Sequence, residues 1–389
     1  MKITVDIKPL IDTKKSGIGY YTENILREMI QLNRDNEYIL NFFAFRNYHS
    51  KTDLINGYFD GIDNIKINPC RWFPPRIYQM IWPFFGIPYR LFFNNKNSKN
   101  SDVTIFFNFY VPPGVAGKTI TVVYDTVYKD YPETMHNLTK TMLKLSLKQS
   151  IERADLIITP SEFSRERVMY HYDIRQPEKV RVVPGGVDHR RFKPASKNQI
   201  LKTLASYNIK HDYFYYIGNL EPRKNLERLI IAYSNAQKKL ETFPILVISG
   251  SKAWQYESIF DVVENLSLKD KVLFTGYVSE EDVSILMSGG IAFCFPSLYE
   301  GFGMPPLEAM ACGTPVLVSK TSSIPEVIGN AGYMVNPYSI EEIEQGLIKL
   351  ASEPSLRTEL LKRGLEQSKK FSWQQSAAKF LGMIHELGN

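Results

Sequence analysis

Two glutamates eight residues apart, Glu300 and Glu308, stand in the stretch LYEGFGMPPLEAMACGTPVL, residues 298–317. The apolar run GIAFCFPS before it reads as a strand ending near Ser297. Pro305 and Pro306 suit the first turn of a helix, where a missing N–H costs nothing. Glu300 then falls in the loop and Glu308 about one turn into the helix. Gly301 and Gly303 let the backbone approach a ligand closely or adopt positive φ. Free N–H groups at a helix start favour phosphate. Two carboxylates on either side of such a point suit a diphosphate carrying hydroxyl groups at both ends. The plain alternative is a solvated helix glutamate and a capping one.

A second cluster is GNLEPRKN, residues 218–225. Arg223 and Lys224 directly precede Asn225, a residue type that caps helices, at the end of an apolar run. Two cations and a helix N-terminus would converge there, and the arginine fork matches phosphate oxygens; an exposed basic loop is the alternative. A third, SGIGYY at residues 16–21, is weak as a dinucleotide fingerprint because it lacks a third glycine and starts well after the strand. It reads as a loop whose Gly17 and Gly19 amides approach an anion, or as a plain turn. The six histidines have no zinc spacing, there is no Asp-x-Asp pair for a metal-held diphosphate, and no Gly-x-Ser-x-Gly elbow or Walker loop occurs.

Elements must hold these residues in place. In the C-terminal half, short β-rich runs (YFYYIGNL, PILVISG, KVLFTGY, GIAFCFPS, PVLVSK) alternate with helical patterns. The N-terminal half repeats the pattern with KITVDI, TITVVYD, LIITPS and VRVVP. Continuous apolar strands between helices predict α/β folding with parallel sheets covered on both faces. The expected domains are 1–190, 191–371 and a tail helix, 372–389. With 389 residues, 44% of them apolar, the chain is long enough for two cores. The start, MKITVDIKPL, reads as a strand and not as a signal peptide, and no run is long enough to span a bilayer. Cys70, Cys294 and Cys312 lack redox or metal spacing. The net charge of +6 favours anionic ligands without requiring nucleic acid.

Taken in order, GIGYYTENIL, VVYDTVYKDYPETM, ADLIITPSEFSRERV, PGGVDHRRF, YIGNLEPRKNLERLI, LFTGYVSEEDVSILMSGG and the 298–317 stretch resemble the retaining family 4 glycosyltransferases of the GT-B fold. That resemblance implies two Rossmann-like, doubly wound domains facing a cleft, with the tail helix crossing back onto the first. It implies a metal-independent hexosyltransferase with no cofactor beyond its nucleotide-sugar substrate. Glu300 would contact the donor sugar and Glu308 the ribose. Arg223 and Lys224 would hold the diphosphate, aided by amides near Gly19 and Gly303, and the backbone at Tyr277–Val278 would meet the base. Gly17, Gly218, Asn219, Ser297, Tyr299, Gly301, Phe302 and Met304 complete the donor side. Tyr110 and Tyr124 fall on the acceptor side. Many members carry His-Asp where this chain has Tyr124–Asp125, which leaves Asp125 as an inherited catalytic candidate beside a changed neighbour.

The implied work is cell-surface polysaccharide assembly, O-antigen or exopolysaccharide, in the cytoplasm at the inner membrane face. The acceptor is a glycan or a lipid-linked glycan. GDP-mannose is the preferred donor, with UDP- and dTDP-sugars open. A nucleotide-sugar epimerase of the same fold and a non-catalytic nucleotide-sugar binder are the alternatives. Residues 64–101 contain no acid but carry Lys66, Arg71, Arg76, Arg90, Lys96 and Lys99 among nine aromatic residues, and Lys140, Lys144 and Lys148 add a stripe at helical spacing. Rings and cations together suit an anionic membrane surface; simple core packing is the alternative.

Overall fold

The β-branched and aromatic runs pair as parallel strands into two sheets in a computed structural model that describes residues 1–11, 16–93 and 100–388. The first sheet contains β1 (Lys2–Asp6), β2 (Glu37–Phe43), β3 (Ile65–Cys70), β4 (Val103–Phe106), β5 (Lys118–Val122), β6 (Leu156–Thr159) and β7 (Val180–Val182). Their order is β3-β2-β1-β4-β5-β6-β7. The second contains β8 (Tyr213–Ile217), β9 (Ile245–Ser249), β10 (Val272–Gly276), β11 (Ala292–Phe295), β12 (Val316–Ser319) and β13 (Tyr333–Val335), in the order β10-β9-β8-β11-β12-β13. Most strand residues are buried, as sheets flanked by helices on both faces require. Both orders are doubly wound: strand order reverses between β1 and β4, and again between β8 and β11.

The chain forms two compact units, Met1–Gly185 joined by the helix Trp373–Gly388, and Gly186–Ser372. The change of unit at Gly186 lies ahead of the polar stretch after residue 189. Phe192 already packs in the second core, and Arg191 pairs with Glu280 at 3.1 Å. The final helix joins the first unit because its apolar stripe, Trp373, Ala377, Phe380 and Ile384, recurs at three- and four-residue spacing. It packs on helix Gly17–Leu32, with Trp373 edge-on to Tyr21 at 5.6 Å and Phe380 edge-on to Phe107 at 6.0 Å.

The aromatic segment 72–93 divides. Tyr78, Trp82, Tyr89, Phe92 and Phe93 pack in the core of the first unit, whereas Trp72, Phe84 and Phe85 face solvent. Lys66 is held by Glu37 at 2.7 Å. Lys96 and Lys99 lie outside the described residues.

Candidate functional site

In an open parallel sheet, ligands bind beyond the carboxyl ends of the strands at the point where strand order reverses. In the second unit that point lies between β8 and β11, and the two glutamate- and cation-bearing loops leave from these two strands. After β8 the chain passes Gly218 and the exposed Asn219, makes a single turn over Pro222–Lys224, and enters helix Leu226–Gln237. After β11 it passes the buried Ser297 and reaches helix Met304–Ala311. The two loops are tied together, since Leu298 N–H donates to the Arg223 carbonyl at 2.9 Å.

Asn225 departs from the sequence expectation. It occupies the helix-capping position, but its side chain does not cap. Its backbone is left-handed, φ 61°, a conformation asparagine tolerates. Its amide instead donates to the carbonyls of Pro296 (2.9 Å) and Pro337 (2.7 Å), which locks the β8 loop to the end of β11.

That lock places Arg223 and Lys224 against Glu300. Lys224 Nζ donates to Glu300 Oε1 at 2.7 Å and lies 4.9 Å from the Phe295 ring centre. Arg223 Nη1 stands 2.9 Å from Glu300 Oε2 and donates to the Tyr299 carbonyl at 2.7 Å, while Nη2 reaches Glu221 at 2.7 Å. Lys224 and Glu300 are both buried. Burial alone would raise the Glu300 carboxyl pKa, but the adjacent Arg223 and Lys224 outweigh it and bring the value down to about 2. Lys224 is shifted down from the usual lysine range, by burial first and then by the like charge of Arg223, against the pull of Glu300. Glu300 is therefore a fixed anion near neutral pH. It can accept hydrogen bonds from hydroxyl groups or face developing positive charge, and it cannot serve as a proton donor.

Two serines that the sequence reading missed hold the Glu300 backbone. Ser322 Oγ accepts from Glu300 N–H at 3.1 Å, and Ser323 Oγ donates to the Glu300 carbonyl at 2.9 Å. The signal for them was a serine pair just past the carboxyl end of an apolar strand, β12, next to β11 in the sheet. Tyr299 and Phe302 are buried side chains, Phe302 edge-on to Phe371 at 5.8 Å, so what they offer a ligand is backbone. Gly303 takes φ 105°, and a Cβ there would lie 2.6 Å from Ile324 Cδ1, so glycine is required. Met304 and Pro305 follow directly as the helix opens. The two prolines remove two N–H groups from the helix start and leave fewer backbone donors than an ordinary one. Gly301 sits half-buried between Glu300 and this turn.

Glu308 lies on the second turn, half-buried, with no hydrogen bond to its carboxylate among the described residues. Burial raises its pKa to about 8, with Arg191 opposing and Glu280 adding to the rise. Near neutral pH the ligand-free group is therefore mostly protonated, and as it loses that proton it becomes a carboxylate able to accept from a ligand hydroxyl. Tyr277 and Val278 follow β10, with the tyrosine exposed and the valine in the core.

The remaining predicted residues lie in the first unit. Gly17 and Gly19 are not in a loop: both belong to the first turn of helix Gly17–Leu32, capped by Ser16, whose Oγ accepts from Gly19 N–H at 3.4 Å. A serine followed by apolar residues at helical spacing outweighs the two glycines, and the cap engages one of the two amides. Asp125, just past β5, is half-buried and accepts from Val127 N–H at 3.1 Å within its own turn. Tyr124 is buried, edge-on to Tyr21 at 5.4 Å, and its hydroxyl donates to the Phe107 carbonyl at 3.1 Å. A ring of that size finds room in the core and satisfies its hydroxyl there, so a role on the acceptor side would require that hydroxyl to leave the Phe107 carbonyl. Tyr110 is half-buried, with Lys8 Nζ 5.6 Å from its ring centre.

Two family models match the chain: Glycosyltransferase Family 4 over residues 16–191 and Glycosyl transferases group 1 over residues 203–367. The O-antigen chain mannosyltransferase B of Escherichia coli is 32% identical over 268 residues, covering 69% of this chain and 70% of that protein. The O-antigen chain mannosyltransferase RfbU of Salmonella typhimurium is 31% identical over 225 residues, 58% of each chain. Among solved structures, the sucrose-phosphate synthase of Thermosynechococcus elongatus matches with a TM-score of 0.76 at 18% identity, over 100% of this chain and 99% of that one. Anabaena Alr3699/HepE, solved in complex with UDP and glucose, matches with a TM-score of 0.73 at 17% identity, over the full length of both chains.

Proposed function

The chain belongs to the family 4 glycosyltransferases, and from that premise we propose that it transfers mannose from GDP-mannose, with retention at the anomeric carbon, to a glycan or lipid-linked glycan of a cell-surface polysaccharide. The acceptor chemistry sets the place of work at the inner face of the cytoplasmic membrane. Mannose is supported by the mannosyltransferase relatives named above. The observation that carries the reading is Glu300 held between Arg223 and Lys224 at the β8–β11 crossover.

As the bond to the sugar breaks, negative charge grows on the departing diphosphate. Arg223 and Lys224 supply preorganised positive charge in a partly dry site, in the role a divalent ion plays elsewhere. Glu300, fixed as an anion, accepts from a donor-sugar hydroxyl and faces the positive charge that builds on the ring. Glu308 accepts from the ribose. The acceptor hydroxyl attacks from the leaving-group side, and its proton passes to a phosphate oxygen. Glu221 and Glu300 balance the two cations, so a diphosphate competes with Glu221 for one arm of Arg223.

A thermal-shift panel of nucleoside diphosphates and their sugars, followed by transfer of labelled sugar in the presence of a chelator, tests this. A ligand at 100 times its dissociation constant adds about 2.7 kcal/mol. GDP and GDP-mannose should shift the protein most, and transfer should survive the chelator. Interconversion of two free nucleotide sugars without an acceptor would show an epimerase instead. Loss of transfer restored by magnesium or manganese would overturn the cation-based account.

A further inference from the structure

One face of the first sheet carries polar side chains where a covered parallel sheet is normally apolar. Asn41 of β2 stands in register with Asp6 of β1 and with Asn68 of β3, and Thr4 of β1 stands beside Thr104 of β4. All five are buried. A buried polar group is costly unless it is hydrogen-bonded, and most of these atoms find partners. The Tyr89 hydroxyl donates to Asp6 at 2.8 Å, and Asn68 Nδ2 donates to Asn41 Oδ1 at 2.8 Å. The Thr4 and Ser101 hydroxyls bond to each other at 2.5 Å, and Thr104 Oγ1 donates to the Ala116 carbonyl at 2.8 Å. The exception is the amide nitrogen of Asn41. It stands near the Tyr89 hydroxyl but makes no hydrogen bond among the described residues, although Asn41 is only 1% exposed. A buried donor left without a partner is rare in native proteins.

Asn41 lines a cavity of about 580 Å³, a size that suits a small ligand. Thr4 and Thr104 line it as well, and Tyr89 and Phe93, with ring centres 4.7 Å apart, supply an apolar wall. Arg90 is the one charged residue in its lining among the described residues; it is exposed and makes no ion pair among them. One cation and no acid select a ligand with negative charge. An amide and hydroxyls beside aromatic rings suit hydroxyl groups on a carbon frame. The exposed part of the lining, Asn100, Gly114 and Gly117, lies just ahead of β4 and β5, at the amino ends of these strands. Reaction sites of open parallel sheets lie at the carboxyl ends, so this cavity stands apart from Asp125, just past β5, and from the donor residues of the second unit.

We propose that this cavity is a second saccharide site, which takes a monosaccharide unit bearing one anionic group: the Asn41 amide donates to a sugar oxygen, the Thr104 hydroxyl accepts from a sugar hydroxyl, and Arg90 meets the anion. The proposal does not depend on the transferase reading. A phosphate ester and a sugar carboxylate carry the same chemistry, and the arms of the test separate them. The test is calorimetric titration of the full chain at low salt with mannose 6-phosphate, glucuronate, mannose and inorganic phosphate. One of the two anionic sugars should bind at least about tenfold more tightly than mannose or phosphate, which identifies the anion. Arg90→Gln should weaken that binding about tenfold, with the melting temperature unchanged because the side chain is exposed. Asn41→Asp keeps the oxygen that Asn68 uses and loses the amide donor, and should also weaken binding at least about tenfold. If Asn41→Asp melts lower than wild type, the exposed Arg90→Gln decides. Arg223→Ala, in the second unit, should leave these affinities unchanged. Failure of both anionic sugars to bind at up to about 10 mM overturns the proposal. So does phosphate that binds as tightly as the sugar phosphate, which would mark an anion site only. Binding that Arg90→Gln leaves undiminished, or that Arg223→Ala abolishes, overturns it as well, the latter by placing the ligand at the donor residues.

Discussion

Cutting Glu300 back to alanine should damage the fold as well as the chemistry. Among the described residues, the buried Lys224 ammonium hydrogen-bonds to Glu300 alone. Removing one partner of a buried ion pair costs about 3–5 kcal/mol, because the other charge is left uncompensated. The shift of Glu300 from its ordinary value of 4.5 to about 2 leads independently to about 3 kcal/mol. For a unit of this size, a loss of about 3 kcal/mol lowers the melting temperature by roughly 6–12 °C. The folded pKa is depressed, so this stabilisation is present above pH 4.5 and is lost as pH falls through about 2. The gap between Glu300→Ala and wild type should therefore be full at pH 7 and close as pH approaches 2. Adding Lys224→Met to Glu300→Ala should recover most of the melting temperature, since an apolar replacement of a buried pair is close to neutral, while transfer stays lost. Melting curves by circular dichroism at several pH values read this directly. If Glu300→Ala melts within about 2 °C of wild type at pH 7, or the added Lys224→Met makes it worse, the buried pair is not what holds these loops.

Arg223→Ala should lower turnover about 100-fold or more, the effect of losing one preorganised charge donor, and the measurement is initial rate at saturating donor. Glu308→Gln should weaken donor binding more than turnover, because a ribose contact is equally present in the ground and transition states. The same substitution should stabilise the ligand-free protein at pH 8: the raised pKa means wild-type stability falls as pH rises from 4.5 through about 8, and glutamine has no proton to lose. Wild-type affinity for the nucleotide should rise over that range and the variant's should not, which calorimetry across pH can check. Tyr124→Phe should cost about 1 kcal/mol for the lost bond to the Phe107 carbonyl and leave acceptor kinetics unchanged; a selective rise in acceptor KM would instead put this phenol on the acceptor side.

The strands were legible in the sequence because unbroken β-branched and aromatic runs between helical patterns admit little besides parallel sheets covered on both faces. Arg223 and Lys224 were legible at the end of one apolar run and Glu300 just after another; that the two strands are neighbours at the crossover, so that their loops meet, is decided by the sheet order. Helix Gly17–Leu32 shows where local reading fails, since two glycines suggested a loop and the Ser16 cap with its apolar stripe overruled them. Partner choice was out of reach for a different reason. The Asn225 amide finds the Pro337 carbonyl across 112 positions of chain. The Glu300 backbone depends on serines more than 20 positions away. The Tyr124 hydroxyl turns inward to Phe107. The aromatic residues of 72–93 have one composition and two fates, Trp82 inside and Phe85 outside, because the helix they share rests on a neighbour that begins 52 positions after Phe85. Protonation follows the same logic. Two glutamates of identical chemistry end near 2 and near 8 because two cations outweigh burial at the first, while burial outweighs the more distant Arg191 at the second. Residue type and spacing determine which groups can meet; charge state and orientation depend on what the rest of the chain packs around them.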